Sequence, residues 1–129
     1  MLPITITLSM YKKYNINPDK KTLPDCVCRA ISLATGSNYN DVMHMLSMNG
    51  LDNNCEDLCV DCYAHILDDI GYLQIDAEGK TVSELCQEHK NDTLIVRIEG
   101  HLTCCINGNC YDIWDCTDKK ADKYWLVRD

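Results

Sequence analysis

The feature that most constrains this chain is a change of hydrophobic period near residue 92. Before that point apolar residues recur at spacings of three and four, as on a helix with one buried face, and after it they alternate, as along strands. Val27, Ala30, Ile31 and Ala34 form a first helical stripe, which Asp25 can cap and Gly36 closes. Val42, Met45 and Leu46 mark a second short helix, expected over about 40–47 and ending before Gly50. The clearest stripe runs through Cys55, Leu58, Cys59, Cys62, Ile66, Leu67 and Ile70 to a stop at Gly71. A short strand is expected over 72–75, and Thr81-Val82-Ser83-Glu84 has the capping-box pattern that opens a fourth helix reaching about His89. Strands are then expected over 93–98, 102–106, 110–114 and 123–127, with Glu99-Gly100 and Asn107-Gly108 as hairpin turns. Helices followed by strands joined by tight turns predict an α+β domain, its N-terminal helices packed on a C-terminal antiparallel sheet.

The 129 residues suit a single domain over 1–129, with 1–24, which holds Asn15, Asn17-Pro18 and Pro24, as an irregular N-terminal arm. Twenty acidic residues against twelve basic ones give a net charge of -8 without any basic tract. Binding of nucleic acid is thereby disfavoured, because that affinity comes mainly from clustered Lys and Arg. The apolar start lacks a charged segment, contains Pro3 and runs into Tyr11-Lys12-Lys13-Tyr14, unlike a signal peptide. No stretch approaches the roughly 18 consecutive apolar residues of a membrane span, so a soluble, cytoplasmic protein that does not engage membranes is expected. In a reducing compartment the ten cysteines should be mostly free thiols packed as small hydrophobes. The competing reading is a disulfide framework in an exported protein.

Three residues stand out as parts of a thiol nucleophile site. Cys26 sits in the first turn of a helix, where unpaired N–H groups and the helix dipole favour a thiolate. Cys28 lies about 200° around that helix and cannot share a small site with it. Asp25 would repel a thiolate at Cys26 unless its carboxylate is engaged. His101 opens a strand and is the best of the four histidines as a base; His44 and His89 suit exposed faces and His65 borders an apolar stripe. With a two-residue turn at Asn107-Gly108, His101 pairs with Trp114, and Asp112 falls on the face of His101 at a diagonal separation of about 7 to 8 Å. A three-residue turn would instead set Asp115 opposite His101. The two-residue form is preferred because Asn-Gly is the strongest short hairpin signal. Asp112 would then orient the imidazole, and Trp114 would keep water from the contact.

The order Cys26, His101, Asp112-Ile113-Trp114 resembles the papain-like cysteine peptidases, with Asp in place of their Asn before x-Trp. Asn15-Ile16-Asn17-Pro18, Asp25-Cys26-Val27-Cys28-Arg29-Ala30-Ile31, Gly100-His101 and Tyr111-Asp112-Ile113-Trp114-Asp115 together resemble small phage and bacterial proteins of papain-like type. The resemblance implies a cysteine peptidase or amidase, acting without a cofactor on a peptide or protein in the cytoplasm, or the host cytoplasm if phage-encoded. Lys20 and Lys21 occupy the neighbourhood of the family's oxyanion-hole Gln, so Asn17, Asn15 or backbone N–H groups at the helix start would serve there. The different-class alternative is a catalytically silent papain-like binding module that engages a host factor. No metal is expected, although Cys59-Val60-Asp61-Cys62 has zinc-like spacing and would need a second ligand pair. Cys105 and Cys110 can face each other across the hairpin.

Overall fold

In the computed structural model, residues 10–20, 24–56 and 59–128 are described. Among the described residues the architecture is α+β: four helices and a six-stranded sheet. In chain order the elements are β1 (Tyr11–Lys13), α1 (Cys26–Thr35), α2 (Tyr39–Asn53), α3 (Val60–Ile70), β2 (Leu73–Asp76), α4 (Val82–Glu88), β3 (Thr93–Ile98), β4 (His101–Ile106), β5 (Asn109–Asp112) and β6 (Ala121–Val127).

The C-terminal strands form close to where alternation and turns place them, but β5 ends at Asp112 and not at 114, so the expected ladder pair of His101 with Trp114 does not form. Asn107 and Gly108 both have positive φ, 51° and 83°, the backbone of a two-residue hairpin turn whose twist suits antiparallel strands. This turn pairs Cys105 with Cys110 and Ile106 with Asn109, so Asp112 shares a face with His101. The sheet is not purely antiparallel. Its order is β1-β5-β4-β3-β6-β2, and β1 joins β5 in parallel, Tyr11 beside Cys110 and Lys13 beside Asp112. The arm expected to be irregular thus contributes an edge strand; the parts of that arm at 1–9 and 21–23 lie outside the described residues.

The helices differ from expectation at their ends. α1 closes at Gly36, which takes the left-handed conformation at φ 71°. α2 is capped by the Asn38 side chain and runs through Gly50 to Asn54, whose own left-handed backbone ends it. α3 begins only at Val60, because Cys55 is bridged to Cys62 by a disulfide and Cys59 serves as the N-cap. Cys55 and Cys59 therefore precede the helix instead of lying on its stripe, and Leu58 lies outside the described residues. The expected capping box of α4 is present, with the Thr81 and Glu84 side chains reciprocally bonded.

Two apolar clusters sandwich the sheet. One gathers Val27, Ile31, Leu46, Leu67, Leu102 and Trp125 beneath α1, α2 and α3, and the other gathers Val82, Leu85, Leu94, Val96 and Cys105 beneath α4. Burying a Leu- or Ile-sized side chain stabilises by about 1.5–3 kcal/mol, so the first cluster holds the start of α1 firmly against β4. No helix among the described residues is long and apolar enough to cross a membrane.

Candidate active site

Cys26 is the first residue of α1, and His101 the first of β4. Packing of α1 on β4 brings them together on one cavity with Leu102, where the imidazole and the Leu102 backbone both favour the thiolate. His101 Nε2 lies 2.7 Å from Asp112 Oδ2, which leaves Nδ1 as the ring nitrogen for the thiol. The Trp114 ring lies against the imidazole with centroids 5.0 Å apart, covering it while remaining 40 % exposed itself. The structure therefore groups Cys26, His101, Asp112 and Trp114. Asp115 instead turns to Thr117, bonding its N–H and hydroxyl.

These contacts reset the acidities. Burial pushes the Cys26 thiol up, but the hydrogen bonds from His101 and Leu102, with the charges of His101 and Arg29, outweigh it and hold the thiol below its ordinary value. Burial likewise opposes the charge on His101, yet bonding to Asp112 and Cys26 raises it to about 9. Asp112 stays below the usual carboxylate range, because hydrogen bonds from His101 and Thr103 overcome its burial. A thiolate beside an imidazolium is the arrangement these shifts favour near neutral pH.

Beneath the three lies a buried network that sequence reasoning did not assign. Arg29 donates from Nε to Asp25 Oδ1 at 2.7 Å and from Nη1 to Asp112 Oδ1 at 3.0 Å. Asp25 does not cap the helix with its side chain. It accepts from Tyr39 at 2.6 Å and from Asn17 at 3.3 Å through its second oxygen. Its charge is thus matched by Arg29, which answers the objection to an acidic neighbour beside the thiol. The signal for Arg29 was present as an Asp25/Arg29 pair at i,i+4 on a helix; its reach to Asp112 had no local signal.

Asn17 is placed away from the thiol. Its amide donates to Asp25 and to Tyr39, both at 3.3 Å, and its carbonyl oxygen accepts from the N–H of Asp19. Asn17 does not line the cavity at Cys26, and its side-chain donors are already committed, so the geometry does not supply the oxyanion contact expected of it. The expected alternative, backbone N–H groups at the helix start, lies at the Cys26 end of α1, where a helix has no intrahelical acceptors for them. Cys28 points elsewhere, its sulfur on the Tyr39 carbonyl at 3.3 Å.

Above Cys26 opens a cavity of about 340 Å³, lined among others by Val27, Tyr63, Arg97, His101 and Trp114. A more open groove of about 810 Å³ lies around Leu46, Leu51 and Cys55, remote from the thiol. Among the described residues, one group of possible metal ligands has its donors within 4.8 Å of one another: His101, Asp112 and Cys116. Two of these already bond each other, and Cys116 directs its thiol to Asp112 at 3.8 Å. The zinc-like pair Cys59 and Cys62 is ruled out as such, since the Cys62 sulfur is bonded to Cys55. Compared with models of known families, with curated proteins and with solved structures, the chain matches none.

Proposed function

We propose that this protein is a papain-like cysteine hydrolase, a peptidase or amidase that cleaves an amide or isopeptide bond. The observation that carries the reading is the placement of Cys26, at the start of α1, in one cavity with His101, whose other side bonds Asp112 at 2.7 Å. The Cys26 sulfur attacks the carbonyl carbon of the substrate, and the oxyanion is met by N–H groups at the helix start. His101 gives its proton to the departing amine as the C–N bond breaks, leaving a thioester on Cys26. Water then attacks the thioester while His101 takes its proton, and the acid is released with the thiolate restored. Asp112 keeps the imidazole oriented and charged, and Trp114 limits access of water to that contact. No cofactor enters this scheme. The substrate is a peptide or protein segment thin enough for the cleft at Cys26. The eight free cysteines suit a reducing compartment such as the cytoplasm, or a host cytoplasm for a phage-encoded protein, while the Cys55–Cys62 bridge counts on the other side.

The test is the alkylation rate of each cysteine against pH, read by peptide mass spectrometry on wild type and on His101→Ala. Selective reaction of Cys26 below pH 7 that is lost in the variant is the expected result. Reaction of Cys26 no faster than that of exposed Cys59, and indifferent to the variant, would sink the catalytic reading in favour of a silent binding module.

A further inference from the structure

Four cysteines outside the proposed catalytic group form a buried series, one end of which, Cys116, reaches Asp112 at 3.8 Å. Cys86 comes from α4, Cys105 from β4, Cys110 from β5 and Cys116 from the segment after β5, and all are at most 1 % exposed. Cys86 and Cys105 have their sulfurs 2.8 Å apart, Cys110 faces Cys105 across the β4–β5 ladder, and Cys110 and Cys116 act on each other's acidity. Thr103 adds a contact to Cys110 at 3.3 Å.

The first pair differs in kind from the rest. A separation of 2.8 Å is well inside the ~3.5 Å or more at which unbonded heavy atoms rest, and only about 0.8 Å beyond a disulfide bond. Both side chains are held there by packing among Val82, Leu85, Leu94 and Val96. Cys105 has a second neighbour in Cys110, directly opposite on β5. The N–H of Cys110 turns away from β4 to the carbonyl of Met10, so this is a non-hydrogen-bonded cross-strand pair, where side chains approach most closely. The four sulfurs do not gather around a point, since no three of them lie mutually within 4.8 Å. A tetrahedral thiolate cage for zinc needs a compact set, whereas a series of pairwise contacts suits disulfide chemistry.

We propose that Cys86 and Cys105 are a modification site: a dithiol that a peroxide converts to a disulfide, stapling α4 to β4. One sulfur takes an oxygen from hydrogen peroxide as the O–O bond breaks and water leaves. The other sulfur then displaces that oxygen as a second water, and the S–S bond forms. Two thiols are oxidised and one peroxide is reduced to two waters, so the step balances. The staple closes a stretch of 19 positions and fixes α4 on the strand whose first residue is His101. It acts on the fold and does not depend on whether Cys26 is a nucleophile. Burial of both sulfurs makes the reaction slow, paced by the opening of seven-residue α4.

The experiment treats the purified full chain with hydrogen peroxide, blocks remaining thiols with N-ethylmaleimide, digests without reductant and maps linked peptides by mass spectrometry. Thermal unfolding is followed in parallel. The expected result is a peptide pair joined through Cys86 and Cys105 together with a rise of several degrees in Tm, both reversed by dithiothreitol and both lost in Cys86→Ala. If that variant does not fold, the wild-type linkage map decides alone. Linkage of Cys105 to Cys110, a Cys105 that stays free while Cys26 and Cys59 oxidise, or one equivalent of zinc released from the purified protein on oxidation would each overturn the proposal.

Discussion

At the scale of single residues, Arg29 is the hinge of the buried polar network. Its side chain is 6 % exposed, and it bridges Asp25 and Asp112, whose side chains are 4 % and 2 % exposed. Replacing it with Met leaves Asp25 buried without a cation and Asp112 with only the imidazolium of His101, and breaking a buried ion pair in this way costs about 3–5 kcal/mol. Chemical denaturation of Arg29→Met should show a loss of that size, and Arg29→Lys should recover only part of it, because an ammonium cannot span two carboxylates as a planar fork does. The second residue-scale prediction concerns pH. His101 is raised to about 9 chiefly by Asp112, against the opposing effect of burial. Its proton is therefore retained through neutrality and lost as pH rises through about 9, while the Cys26 proton is lost below the ordinary thiol value. Turnover of any substrate found should fall on the alkaline side near pH 9. In Asp112→Asn that limb should move to lower pH, since burial then acts on the imidazole without the carboxylate. A limb that stays in place in the variant would remove Asp112 from this role.

At the scale of elements, the β4–β5 turn decides which carboxylate meets the histidine. Gly108 has φ 83°, and a Cβ placed there would lie 3.4 Å from the backbone of Cys86 and of Lys90. Gly108→Ala should cost about 1–2 kcal/mol from the left-handed backbone alone, measurable as a lower denaturation midpoint at an unchanged slope. The same turn explains why the site was legible in the sequence. Asn107-Gly108 fixes the parity of the hairpin, and parity fixes the face of Asp112. The helices were less legible at their ends. Gly50 suggested a stop, but one helical glycine costs only about 1 kcal/mol, and α2 continues past it, with Met48 and Leu51 exposed, until Asn54 ends it. The run Cys55 to Cys62 has helical spacing, yet its first part is drawn out of the helix by a covalent bond that spacing does not encode. β1 had no local signal at all, because Tyr11–Lys13 is short and its partner is about a hundred positions away. The reach of Arg29 to Asp112, 83 positions on, was hidden for the same reason, whereas Asn17 is settled nearer by, at Asp25 and Tyr39.

At the scale of the whole molecule, the Cys55–Cys62 bridge ties the end of α2 to α3, spanning seven positions. Closing so short a loop is worth about 2–3 kcal/mol in the chain-entropy account. Cys55→Ala should lower global stability by that amount, read by chemical denaturation, and should slow Cys26 alkylation less than His101→Ala does, since Val60 and Tyr63, which flank Cys62 on α3, line the cleft without bonding the thiol. A loss of Cys26 selectivity as large as that of His101→Ala would mean that the bridge holds the α3 wall of the cleft in place. The edge of the sheet nearest the thiol has a further bearing. Tyr14 N–H and the Tyr11 hydroxyl both donate to the carbonyl of Asp112, at 2.9 Å and 3.1 Å, across 98 and 101 positions. Arg29 reaches the same residue across 83. A chain still leaving the ribosome holds Cys26 long before Asp112 exists to be grasped, so the thiol is dormant during synthesis and acquires its partners only when the last strands dock. Timing is thus built into topology: the reactive group is made early and armed last.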